Sequence, residues 1–191
     1  MKILLAIHHF PPRHTGGVEL VALRAARWLL THGHEVQVVC VEAIDQGSGT
    51  NLEIESDEYQ TVPVHRLSFN LAAQEDEFRT SYCNREIGRW FAAQLRTFHP
   101  DALHIQSCYL LSASMIDAAR AAGVPTVVSL HDYWFVCSRI SLLHPDGSRC
   151  CGPQPPDCAW CLKTEQRRYR LLDRVSFGMA GRMARRAMNY S

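Results

Sequence analysis

A chain of 191 residues, 47% hydrophobic and 20% charged, is long enough for one domain that buries roughly 70% of its unfolded surface, and is too apolar for a disordered segment. Twenty basic against nineteen acidic residues leave a net charge of +1, which excludes nucleic acid as a partner held by whole-molecule attraction. No run approaches the roughly 18 apolar residues of a membrane span, and the apolar stretch from Met1 to Ile7 is too short for a secretion signal. The expected setting is therefore cytoplasmic and reducing, with the eight cysteines free or metal-bound.

In chain order, Lys2 to His8 reads as a buried strand. A loop with Pro11, Pro12, Gly16 and Gly17 follows, then a helix from Val18 to His32 with Val21, Ala25, Trp28 and Leu29 on one face. Gly33 sits where a helix-ending glycine belongs, and Val36 to Val41 is a continuous apolar strand. Asp45 to Glu58 mixes Gly, Ser and Asn with four acids after Thr50 and reads as a solvated excursion. Thr61 to Leu67 is a short strand. Ser81 to Phe98 is a helix with Ile87, Phe91, Leu95 and Phe98 on one face. Ala102 to Ile105 is a strand, Ser112 to Ala122 a helix, and Pro125 to Leu130 a β-branched strand. Pro145 to Pro156, with six Gly or Pro residues, breaks regular structure. The alternation predicts an α/β fold: a Rossmann-like, open and mostly parallel sheet with helices on both faces. Ligands of such sheets bind beyond the carboxyl ends of the strands.

Gly16 and Gly17 stand between the first strand and its helix, where backbone N–H groups and the helix dipole favour an anion. The competing reading is a turn that needs positive φ. A dinucleotide fingerprint is excluded, because no Gly-x-Gly-x-x-Gly occurs at this turn. At the far end, His131 and Asp132 directly follow the Pro125–Leu130 strand. A histidine there can donate to a ligand hydroxyl or exchange a proton; alternatively it is satisfied by a neighbouring carbonyl. His8, His9 and His14 flank the glycine loop. His104 reads as a structural histidine at a strand end.

Several ordered motifs carry a resemblance: His9-Phe10-Pro11-Pro12, Gly16-Gly17-Val18-Glu19, Gly33-His34-Glu35-Val36, Pro100-Asp101-Ala102-Leu103-His104 and His131-Asp132-Tyr133-Trp134. Together they resemble the N-terminal, acceptor-side domain of GT-B glycosyltransferases of family 4, over residues 1 to about 162. The resemblance implies transfer of a sugar from a nucleotide-sugar donor to a hydroxyl acceptor, with retention. It implies that Gly16 and Gly17 face the donor diphosphate, that His131 and Asp132 are catalytic, and that His9, His14 and Glu19 flank acceptor or ligand. Where relatives often carry a second histidine two residues after His104, this chain has Gln106, so the resemblance does not carry the family's role over to this turn.

The family's C-terminal domain supplies donor-phosphate cations and a pair of glutamates eight positions apart. No two glutamates of this chain are so spaced, and the expectation is that the donor-binding domain is absent. One half-site is then inactive alone. The competing reading is a non-catalytic scaffold subunit that docks on a separate donor-binding chain.

Five cysteines fall between 137 and 161. Cys158-Ala159-Trp160-Cys161 has metal-ligand spacing, and Cys137 with Cys150 or Cys151 could complete a tetrahedral zinc site. Free thiols are the alternative, and the density of cysteines in this 137–162 loop favours structural zinc. From Lys163 to Ser191, eight basic residues oppose Glu165 and Asp173, and Leu171, Val175, Met179 and Met183 recur every four. This predicts one amphipathic helix, packed on the sheet or drawn to an anionic membrane at the inner face.

Overall fold

The computed structural model describes residues 1–46, 52–164 and 166–189. The chain falls into two compact units, Met1–His131 and Asp132–Ser191. The 137–162 loop and the basic tail, expected as appendages of one domain over 1–191, together make up the second unit.

The first unit is a six-stranded sheet. In chain order its elements are β1 Lys2–Ala6, α1 Gly17–Thr31, β2 Glu35–Ala43, β3 Glu53–Tyr59, β4 Val62–Ser68, α2 Glu77–Tyr82, α3 Arg85–Phe98, β5 Ala102–Ile105, α4 Ser114–Ala121 and β6 Thr126–Val128. The strand order is β3-β4-β2-β1-β5-β6. Every neighbouring pair is parallel except β3 with β4, which is antiparallel. This is the expected Rossmann-like α/β sheet. The excursion expected over Asp45–Glu58 is corrected in its second half, because Glu53–Glu58 lies in β3. That strand is an exposed edge with a single partner, so its polar, acidic sequence carried no apolar alternation to read. Residues 47–51 of the excursion lie outside the described residues.

Alternation along β2 places helices on both faces. Val36, Val38 and Cys40 join Leu5, Ile7, Val62 and Val64 under Ala22, Leu23 and Ala26 of α1, an apolar cluster, whereas Val21 and Trp28 of the expected α1 face are exposed. The opposite side of the same strands meets α3, where Gln94 Nε2 donates to Gln37 Oε1 at 2.6 Å and the His65 and Trp90 rings lie 5.5 Å apart. The α1 helix ends as its sequence predicts. Gly33 adopts φ +79°, its N–H bonds Leu30 O, and the His34 N–H bonds Leu29 O. The helix expected over Ser81–Phe98 is two helices. Asn84 breaks it by accepting, through its side chain, from the Glu86 and Ile87 N–H groups as the N-cap of α3.

The second unit contains a Leu143–Arg149 bridge and three helices, α5 Pro155–Lys163, α6 Arg167–Val175 and α7 Met179–Asn189. The single tail helix is corrected to the α6–α7 pair. Phe177 and Gly178 take φ +49° and +78° and reverse the chain between them. Trp160 is the buried residue around which these helices gather, with the Tyr169 ring 6.3 Å away. A Cβ at Gly181 would lie 2.6 Å from Trp160 Nε1 and 2.9 Å from Asp173 Oδ1. Only glycine lets α7 approach so closely. Glu165, Tyr190 and Ser191, at the expected helix ends, lie outside the described residues.

Candidate functional site

Parallel strands β1, β5 and β6 end side by side, and the segments leaving them converge. The Gln106 N–H donates to Ala6 O at 2.7 Å and the Ser129 N–H to Ile105 O at 2.8 Å, so the register of the sheet continues past the strands. This delivers a row of side chains: His131 Nε2 stands 2.7 Å from Gln106 Oε1, Gln106 Nε2 stands 3.0 Å from His104 Nε2, and His104 Nε2 stands 2.9 Å from Ser129 Oγ. An amide oxygen only accepts and an amide nitrogen only donates. His131 therefore carries a proton on Nε2, and His104 offers the Nε2 lone pair with its own proton on Nδ1. In a neutral His131 ring this leaves Nδ1 as the acceptor. Burial, and then the charge of His131, hold His104 below the ordinary histidine range.

Gln106, where the resemblance to the family lapses, is 3% exposed and joins both histidines. The signal was available, because His104 and Gln106 are two residues apart at a strand end and so share a face.

The glycine loop occupies the same edge of the sheet. His8, just after β1, is 6.0 Å from the Tyr109 ring in the segment after β5. Neither Gly16 nor Gly17 has positive φ, which removes the turn explanation. Gly16 is required for space, since a Cβ there would lie 2.5 Å from Glu19 Oε2. Gly17 has no atom within 4 Å of an added Cβ and opens the first turn of α1 to solvent. No side chain caps this helix start. Glu19 itself is buried within the first turn, and its Oε1 lies 3.2 Å from His8 Nε2. The His9 Nδ1–H donates to Val41 O at 2.8 Å, and its ring stacks on His14 at 3.8 Å. Burial first, opposed by the Val41 carbonyl and reinforced by His14, pushes His9 down.

A buried arginine that sequence reading passed over pins this loop. Arg66 donates Nε to Asp57 at 2.9 Å, one terminal nitrogen to Glu42 at 3.0 Å and the other to Pro11 O at 2.8 Å. Glu42 also pairs with Arg13 at 2.9 Å. The clue was an arginine at the inward position after Val62 and Val64, where a charge is buried only if fully paired. Arg66 is thus committed to carboxylates, while Arg13 pairs with Glu42 from a largely exposed position.

In the second unit, Asp132 Oδ1 accepts from the Trp134 N–H at 2.8 Å and so holds its own turn. Cys137, Cys150, Cys151, Cys158 and Cys161 line one cavity of 240 Å³, and burial, with the other three thiols of the expected ligand set as further contributors, pushes the Cys161 thiol up. The zinc expected on Cys137, Cys150, Cys158 and Cys161 lacks a gathered ligand set. Among the described residues no group of three or more His, Cys, Asp or Glu could hold a metal ion. The Cys150 sulfur lies within its own turn, 3.4 Å from both Gly152 N and Gly152 O.

A family model described as a glycosyl transferase 4-like domain matches residues 16–182. The chain belongs to that family. Solved structures similar to this glycosyltransferase-like domain include the catalytic domain of starch synthase IV from Arabidopsis thaliana bound to ADP and acarbose, at 15% identity and TM-score 0.39. Another is the UDP-forming alpha,alpha-trehalose-phosphate synthase from Burkholderia xenovorans in complex with glucose-6-phosphate, at 15% identity and TM-score 0.41. Each match covers 66% of this chain and 32% of the other, so the chain spans about a third of the length of these structures. No curated protein matches this chain. No helix among the described residues is long and apolar enough to cross a membrane.

Proposed function

We propose that this chain is the acceptor-side wall of a glycosyltransferase that moves a sugar from a nucleotide-sugar to a hydroxyl acceptor, with retention. The observation that carries the reading is the His131–Gln106 bond at the strand ends of a domain belonging to the glycosyl transferase 4-like family. Gln106 fixes the His131 tautomer, so Nδ1 is presented as an acceptor for a sugar hydroxyl of the bound donor or acceptor. His131 is the hydrogen-bonding catalytic residue. Asp132 acts behind it by holding the following turn. The open first turn of α1 at Gly17, with the unbranched backbone of Gly16, faces the donor diphosphate. His9, His14 and Glu19 border the acceptor.

The same geometry supports dependence on a second wall. Glu19 lies within the α1 start and opposes an anion there, while Arg13 and Arg66 are held by Glu42 and Asp57. Stabilising a departing diphosphate needs preorganised positive charge, so that charge comes from a donor-binding domain, in the same polypeptide or in a separate chain. The test measures nucleoside diphosphate release from a panel of nucleotide-sugars, with this chain alone and with its donor-binding domain supplied. Expected are negligible release alone, turnover in the pair, and a loss of about 10²–10⁴-fold in the pair for His131→Ala. Turnover by this chain alone, or unchanged turnover in the His131→Ala pair, overturns the reading.

A further inference from the structure

The α6–α7 pair is built with its larger apolar side chains outward. The inner side of α7 is Gly181, packed on Trp160. Leu171, Leu172 and Val175 of α6 are 59%, 51% and 69% exposed, and Met179 and Met183 of α7 are 57% and 73% exposed. Between them Phe177, at 88%, stands at the reversal of the chain. Its φ of +49° is a conformation that costs a bulky residue energy. A glycine would sit there without strain, yet the position carries an exposed aromatic ring.

Charge accompanies this apolar surface. Residues 167–189 hold seven arginines and one acid, Asp173. That acid is spent internally, accepting from the Gly181 N–H at 3.1 Å. Arg182 and Arg186, both exposed, flank the Met179–Met183 strip at helical spacing. Basic side chains beside an outward apolar face, with an aromatic at the turn, is the pattern of an element that lies in a lipid interface.

We propose that α6 and α7 dock on an anionic lipid surface. Phe177, Leu171, Leu172, Val175, Met179 and Met183 enter the boundary between headgroups and acyl chains, and the arginines meet the lipid phosphates. A second copy of this chain fits less well, because a two-fold contact through this face would set one arginine cluster against the other. Since arginine stays charged across the physiological range, attachment depends on salt and lipid charge and is independent of pH.

The full chain is floated with vesicles of phosphatidylcholine alone and with about 30% phosphatidylglycerol. Expected are binding to the anionic vesicles alone, and its loss in high salt. The Arg182→Gln/Arg186→Gln variant should bind about tenfold or more weakly. Phe177→Gly removes the ring while suiting the local φ, so it should keep or raise the melting temperature and still lose several-fold in vesicle affinity. Equal binding to both vesicle types, no binding to either, or full affinity in both variants overturns the proposal. The same holds if Phe177→Gly abolishes a concentration-dependent dimer while leaving vesicle binding unchanged.

Discussion

The two units of this chain use apolar side chains in opposite ways. In Met1–His131, Leu4, Leu5, Ile7, Phe10, Phe91 and Leu103 are fully buried, and the polar groups near them are paired. In Asp132–Ser191, Trp160 is buried while Leu171, Leu172, Val175, Met179 and Met183 face outward. The first unit builds a continuous buried core even though Trp28 and Leu130 face solvent; the second buries Trp160 and leaves most of its large apolar side chains outside. Truncation separates the two. Leu5→Ala should destabilise the first unit by about 4 kcal/mol, the upper range for a large side chain deleted from a filled core. Leu172→Ala should change stability by no more than about 0.5 kcal/mol. Urea unfolding of both variants in the full chain checks this. A Leu172→Ala loss as large as that of Leu5→Ala would erase the contrast.

Buried charge gives the next largest difference. Arg66 is 4% exposed and satisfied by Asp57, Glu42 and Pro11 O, whereas Arg174, Arg182 and Arg186 of α6 and α7 are exposed. Removing one member of a buried pair leaves its partner desolvated and uncompensated. Arg66→Met should therefore cost about 3 kcal/mol, and Arg174→Met close to nothing. Thermal melts at matched pH measure both. An Arg66→Met protein as stable as the parent would mean that Glu42 and Asp57 find other partners, and that the loop through Pro11 is not held as described.

The sheet was legible because β1, β2, β4 and β5 carry apolar side chains at the spacings that burial demands, and because Gly33 and Asn84 are helix punctuation whose chemistry is local. Gly33 was read and Asn84 was not, since a cap inside an apolar periodicity is hidden by the pattern around it. Strand β3 was missed for the opposite reason. Its residues are chosen for solvent and its structure comes from β4 alone. The positions of His131 and the glycine loop followed from topology, since parallel strands deliver their carboxyl ends to one edge. The contacts there did not follow. Gln106 reaches His131 across 25 positions and Arg66 reaches Pro11 across 55, and no local periodicity encodes such pairs. The tail's amphipathic spacing was visible, but periodicity gives the existence of an apolar face and not the side to which it turns.

The smallest effect distinguishes the units by pH. Burial is the leading cause that pushes His9, His65 and His104 below the ordinary histidine range, and all three belong to the first unit. With the folded pKa depressed, the unfolded chain binds more protons once the pH drops below its own value near 6.5. The neutral histidines then favour folding fully above that value, and the advantage is lost as pH falls through the folded pKa values. Between about pH 7.5 and about pH 5.5 the melting temperature of the full chain should fall, and His104→Asn should make that fall shallower. Hydrogen exchange, corrected for its intrinsic pH dependence, locates the change. Amides of β1, β2, β4 and β5 should lose protection on acidification, while those of α6 and α7, whose side-chain charges are arginines and one carboxylate, should not. Equal loss in both units would mean that they open together, and the division at His131 would then have no energetic meaning.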